Sequence, residues 1–119
     1  TVFVTGSMPE EEYQKLLIDQ AIMECMTNCA RHAGGTRVFV KITNNKVLCK
    51  VQITNNGKKP AEGSQEGGGL TSLRKTVERE GGKMQVIFSP EFELILLLSH
   101  EKDREIKSSE EVTVKILNS

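Results

Sequence analysis

Aromatic side chains are scarce in this sequence of 119 residues, which has one Tyr, four Phe and no Trp. A platform on which successive bases stack needs several, so a single-stranded nucleic-acid surface is a poor reading. A surplus of positive charge is missing as well. The 16 Lys and Arg are matched by 16 Asp and Glu, whereas a duplex binder carries a basic excess. No apolar run approaches the roughly 20 residues of a membrane span. The longest, Leu94 to Leu98, predicts a buried strand. No secretory leader precedes Thr1. The chain opens at once in a strand-like pattern, as an excised domain or internal fragment would. Cys25, Cys29 and Cys49 cannot all pair and form no disulfide framework, which suits a reducing cytoplasm. Cys25 and Cys29 lie four apart with His32 three further on, but no fourth metal ligand is visible. Small buried apolar groups are the simpler reading of these thiols.

What the sequence does contain is one domain's worth of chain and a long helical pattern with polar residues in the wrong place. Winding residues 9–33 at about 100° per residue gathers Leu17, Ile18, Ala21, Ile22, Cys25, Met26, Cys29 and Ala33 on one face. Asn28 falls between Leu17 and Ala21, Glu24 sits at a margin, and His32 lies within the face. Burying an unpaired amide or carboxylate costs several kcal/mol, so such a ladder needs a partner. A bound ligand, a metal with phosphates, is the candidate. The bland alternatives are a structural amide at Asn28, bonded to loop backbone, and a satisfied core histidine at His32.

The remaining elements follow from punctuation. Thr1 to Thr5 alternates like a short strand, and Gly6 to Pro9 is a turn whose proline suits a helix start. Glu10, Glu11 and Glu12 favour the positive end of that helix, and Gly34-Gly35 stops it. Strands are predicted at 37–43 and 46–54, joined by Asn44-Asn45 as a tight hairpin. Residues 55–69 form a loop without apolar periodicity, too long for a mere connector, which predicts a mobile lid. A second amphipathic helix is predicted over 70–80, with Leu70, Leu73 and Val77 on one face and Gly81-Gly82 at its end. Strands at 83–88 and 92–99 complete residues 1–99. A charged tail, 100–119, carries a further candidate strand at Val112 to Leu117. The expected fold class is α+β: a two-layer α/β sandwich with a mixed, mostly antiparallel sheet and the helices on one face.

Three segments converge in this reading: Glu24, Asn28, Arg31 and His32 on the first helix; Thr54-Asn55-Asn56-Gly57 at a strand end; and Glu66-Gly67-Gly68-Gly69-Leu70 opening the second helix. Glycines at a helix N-terminus leave backbone N–H groups open to phosphate, with the dipole favouring the anion. A flexible linker is the simpler account of the three glycines taken alone.

Together the segments resemble a known family. Glu24 to Ala33 resembles the asparagine box of sensor histidine kinases, Ile53 to Gly57 their first glycine box, and Gly67 to Arg74 with Gly81-Gly82 their second. The resemblance covers residues 1–99 and is strongest to the branch with a glutamate in the asparagine box and a short lid. The wider superfamily, with the Bergerat ATP-binding fold, includes gyrase, the Hsp90 chaperone, the mismatch-repair protein MutL and anti-sigma serine kinases.

The resemblance implies ATP and Mg²⁺ as cofactors. Asn28 would ligate Mg²⁺. Glu24, the catalytic candidate, would hold a magnesium-bound water or polarise the attacking group. Arg31 and His32 would meet phosphate charge, Gly57 would pass close to the adenine, and Gly67, Gly68, Gly69 and Leu70 would surround the phosphates. The implied activity is transfer of the γ-phosphoryl to a histidine on a separate dimerisation domain, with a response regulator downstream. Neither a nucleic-acid partner nor membrane contact by this domain is expected. Asn55 stands where the family usually has Asp against the adenine amine. Lys58-Lys59-Pro60 replaces a further glycine, and no Gly-Thr-Gly element follows Pro90. Neither His32 nor His100 resembles a phosphoacceptor. The rival readings are a catalytically weak nucleotide-sensing or partner-binding module and an anti-sigma serine kinase.

Overall fold

The computed structural model describes residues 1–100, the side chains of residues 32 and 33 excepted. The predicted strand at Val112 to Leu117 lies outside the described residues. Five strands form one sheet: β1 (Val2–Thr5), β2 (Val38–Asn44), β3 (Leu48–Asn55), β4 (Lys83–Ile87) and β5 (Glu93–Ser99). Their order is β1-β2-β3-β5-β4, with β1 parallel to β2 and the other neighbours antiparallel. Two helices, α1 (Glu12–Asn28) and α2 (Gly68–Arg79), cover one face. The α+β sandwich predicted from the sequence is the observed fold.

Alternation along each strand decides which face that is. Val38, Val40 and Ile42 of β2, Val51 and Ile53 of β3 and Leu94, Leu96 and Leu98 of β5 point into the core. There they meet Leu17, Ile18, Ala21 and Cys25 of α1 and Leu70, Leu73 and Val77 of α2. The run Leu94 to Leu98 is therefore buried on one face only. Ile95 and Leu97 lie half-buried on the uncovered face, because a two-layer sandwich has no second helical layer to close over them.

Both helices are crossovers between parallel strands: α1 joins β1 to β2, and α2 joins β3 to β4 across β5. The two crossovers step the same way across the sheet and lie on the same face, yet they start from strands of opposite direction. They therefore have opposite hands, and one of them departs from the right-handed rule for such connections.

Several boundaries differ from the sequence reading. The first helix begins at Glu12, with Pro9 buried ahead of it, and its α-helical part ends at Asn28. A wide π turn, Cys29–Ala33, continues it to Gly34, whose left-handed φ of 63° ends the helix. Gln14 is fully buried and donates from Nε2 to the Ser99 carbonyl at 2.7 Å, whereas Met26, assigned to the core face, is 42% exposed. The hairpin is longer than the Asn44-Asn45 turn. Asn44 still pairs with Cys49, and the Asn45 side-chain oxygen accepts the N–H groups of Val47 and Leu48 at 2.8 and 2.9 Å. That side chain folds the turn around itself, so the strand starts at Leu48.

Candidate functional site

One cleft of about 500 Å³ opens where the C-terminal end of α1, the end of β3, the 58–65 loop, the start of α2 and the β4–β5 hairpin meet. This is within the usual range for a small-molecule site. Its lining includes Asn28, Asn55, Gly67 and Leu70. All four were named from the sequence as ligand-binding residues, and they come from three segments: the end of α1, the end of β3 and the start of α2.

Asn28 is the last residue of α1 and is half-buried at the cleft wall. Its amide has no hydrogen-bond partner among the described residues, so the structural-amide reading finds no support there. Gly67 caps α2 in an extended conformation without a side-chain cap. The first N–H groups of that helix are thus left for something else to bind. Glu24 is not on the cleft wall. A Cβ at Gly69 would lie 1.9 Å from Glu24 Oε2, so glycine is what lets the carboxylate rest against the first turn of α2. Gly68 and Gly69 are exposed helical residues, which corrects the predicted start at Leu70. Arg31 is exposed; the wide turn after Asn28 carries it outward. The side chain of His32 lies outside the described residues. Gly57 is half-buried and donates its N–H to Asn55 Oδ1 at 2.8 Å.

The end of β3 is fastened by Asn56. Its Oδ1 accepts the N–H groups of Thr36 and Arg37 at 2.9 and 2.8 Å, and its Nδ2 donates to Thr36 Oγ1 at 3.2 Å. Gly35 makes room for this staple. A Cβ there would stand 2.5 Å from Cys29 Sγ and 2.8 Å from both Asn56 Oδ1 and the Gly57 nitrogen. The loop is fastened at its other end by a forked ion pair. Arg74 donates from Nε and Nη2 to the Glu66 carboxylate and from Nη1 to the Met84 carbonyl at 2.6 Å. The hydrogen bond to Glu66 holds the guanidinium pKa above its ordinary value. The loop predicted as a mobile lid is therefore tied, through Arg74, to α2 and β4 at its C-terminal end.

Several lining residues were missed by sequence reasoning. Lys58 and Lys59 border the cleft as cations, and their adjacency opposite a glycine-led helix was the available signal. Phe88 and Phe92 flank the β4–β5 hairpin with ring centroids 5.9 Å apart in an edge-to-face arrangement. Two of the four phenylalanines bracketing one hairpin was a cue only in hindsight. The cysteines are free and buried, and desolvation pushes Cys25 up to about 12. Among the described residues no group of three His, Cys, Asp or Glu side chains gathers to hold a metal. No helix there is long and apolar enough to cross a membrane.

Solved structures share this architecture. The ATP-binding domain of PrrB from Mycobacterium tuberculosis is 23% identical, with a TM-score of 0.59 over 82% of this chain and 78% of that one. The Acinetobacter baumannii histidine kinase AdeS is 13% identical, with a TM-score of 0.62 over 85% of this chain and 53% of its own. The fold is that of a histidine kinase ATP-binding domain. A third likeness, to the Erythrobacter litoralis EL346 blue-light activated histidine kinase, has 17% identity and a TM-score of 0.58 over 82% of this chain. The chain spans 53% of AdeS and 34% of EL346. No protein-family model matches the chain. In a histidine kinase ATP-binding fold, then, four of the residues named from the sequence line one cleft, while Glu24, Arg31, Gly57, Gly68 and Gly69 are not among its lining residues.

Proposed function

We propose that this chain is the catalytic, ATP-binding part of a sensor histidine kinase. It binds Mg-ATP in the cleft and presents the γ-phosphoryl to a histidine on a separate dimerisation domain, in two-component signalling with a response regulator. The observation that carries the reading is the cleft's mixed lining within this fold. Asn28, the Gly67 end of α2 and the Lys58-Lys59 pair are polar groups suited to phosphates. Phe88 and Phe92 are apolar groups suited to a planar ring.

The donors also fit the metal. Mg²⁺ takes one or two protein oxygens and fills the rest of its octahedron with water and phosphate, so a single unpartnered amide oxygen at Asn28 suffices. When bound, the ion neutralises phosphate charge. Asn28 holds it, the α2 N-terminus and the lysines orient the phosphates, and the 58–65 loop covers them from water. In this reading Glu24, whose carboxylate rests against Gly69 in the first turn of α2, acts beside the phosphates. The same position supports the second reading, a nucleotide-sensing module with weak transfer, since the carboxylate is off the cleft wall. A cytoplasmic setting belongs to the kinase proposal.

Isothermal titration with ATP, with and without Mg²⁺, tests the premise on the parent and on Asn28→Ala. Magnesium-dependent binding that is lost in Asn28→Ala, with thermal melts changed little, is the expected result. A variant that loses stability yet keeps its affinity would return Asn28 to a structural role.

A further inference from the structure

We infer that residues 112–117 complete the sheet as a sixth strand, antiparallel to β1 along its open edge. The inference stands apart from the nucleotide reading, because it concerns the border of the sheet opposite the β4–β5 hairpin. The Thr1 carbonyl accepts the Val38 N–H at 2.9 Å, and facing alternates along a strand, so the odd residues of β1 bond to β2. The N–H and C=O groups of Val2 and Val4 therefore point outward, without a partner among the described residues. β1 also lacks the devices that keep an edge to itself. Val2–Thr5 carries no charge, proline or bulge, and Phe3 and Val4 are 45% and 50% exposed on its two faces. Phe3 stacks on Phe39 with ring centroids 5.7 Å apart, so the exposed apolar surface runs across two strands. The other border is blunted, because Arg74 donates to the Met84 carbonyl at 2.6 Å and Lys83 heads β4.

The occupant is a segment of the same chain. Residues 112–117 are rich in β-branched side chains, and their alternation places Val112, Val114 and Ile116 on one face. Paired with β1, that face continues the row of Val2 and Val4 on the helix side and covers the exposed Val4. Direction and reach agree with this placement. β5 is parallel to β2 through their shared antiparallel neighbour β3, and hence to β1. A chain that leaves β5 at Ser99 and turns back thus meets β1 antiparallel. Register sets Thr5 level with Ile95 through Lys41 and Gln52. At about 4.8 Å per strand and 3.3 Å per residue, the open edge beside Thr5 lies about 23 Å from Ser99. Residues 101–111 span up to about 36 Å when extended. A tethered segment meets the edge at an effective concentration that a second copy does not reach, which favours it over pairing between molecules.

Amide hydrogen exchange, followed by NMR on the full chain and on Val114→Pro, tests the inference. Proline at 114 removes a strand N–H and leaves residues 1–100 unaltered. The readout is exchange at the outward-facing Val4 amide, divided by exchange at Leu96 in the buried centre of β5 so that any change in global stability cancels. That ratio is expected to rise by about tenfold or more in Val114→Pro, with protection in the parent independent of protein concentration. Equal ratios in the two proteins, whether fast or slow, overturn the inference. Protection of Val4 that grows with concentration, alongside a doubled mass in sedimentation, overturns it as well, since the edge then belongs to a second copy.

Discussion

At the scale of single residues, the polar side chains on the core side of α1 meet different surroundings, and Gln14 Oε1 is buried without a hydrogen-bond partner among the described residues. Asn28 opens to the cleft, Glu24 rests on Gly69, and Gln14 spends its amide nitrogen on the Ser99 carbonyl. The thiols answer by staying neutral. Desolvation first, then the nearby Glu24 charge and Cys29, raise Cys25 from an ordinary 9.0 to about 12, and burial raises Cys49 as well. In the unfolded chain Cys25 loses its proton near its ordinary value, and in the folded chain it does not. Its contribution to stability is thus fully present below pH 9 and is lost as pH rises toward 12. The loss should be about 1.4 kcal/mol per pH unit in that window. Urea unfolding at a series of alkaline pH values should show a steeper decline for the parent than for Cys25→Ala, and equal slopes would count against this account.

At the scale of elements, the segment between β3 and α2 is a loop fastened at both ends, by Asn56 to Thr36 and Arg37 and by Glu66 to Arg74. Arg74 reaches back from α2 to Glu66 and across to the Met84 carbonyl, so one guanidinium couples lid, helix and edge strand. Arg74→Ala leaves a carboxylate and a half-buried carbonyl without their partner, at an expected cost of about 2 kcal/mol, whereas Glu66→Gln keeps one hydrogen bond and should cost about 1 kcal/mol. Trypsin reports on the same coupling, because Lys58 and Lys59 lie in the loop. Cleavage there should be faster in Arg74→Ala than in the parent, and saturating Mg-ATP should slow it in the parent. Equal rates across all conditions would mean that the pair holds nothing in place. The first turn of α2 supplies the companion test. Gly69→Ala should leave stability nearly unchanged, since the clash is with the movable end of Glu24, but it should displace that carboxylate. Reduced phosphotransfer with unaltered Mg-ATP affinity would tie Glu24 to the chemical step; an unaltered rate would dismiss it.

At the scale of the whole molecule, β1 and α1 form a crossover whose first turn passes very close to the sheet. Gly6 has a φ of +86°, and a Cβ there would lie 2.0 Å from the Ile42 carbonyl oxygen of β2. Backbone cannot step aside as a side chain can, so Gly6→Ala should destabilise the protein by about 2 kcal/mol or more. Gly34, also left-handed at φ +63° but with open space around it, should cost only about 1 kcal/mol as alanine. Chemical denaturation of the two variants compares them, and equal losses would show that conformation rather than contact sets both.

Much of this was legible in the sequence. The glycine pairs, the alternation of residues 38–42 and 49–53 and the three-four spacing of Leu70, Leu73 and Val77 fixed the elements, since these are local consequences of helical and strand periods. Residue chemistry also singled out Asn28, because a polar group on an apolar face is costly without a partner, while Asn55, Gly67 and Leu70 were named through the resemblance to the family's glycine boxes. What the sequence could not determine depends on contacts between distant residues. The wide turn that carries Arg31 outward is one such feature, and the return of Glu24 to Gly69 is another. The Glu66–Arg74 fastening, the opposite hands of the two crossovers and the approach of Phe88 and Phe92 to Asn55 complete the set. The last two arise only when strands separated by many residues take their register, and a strand's register sets which of its faces meets the cleft.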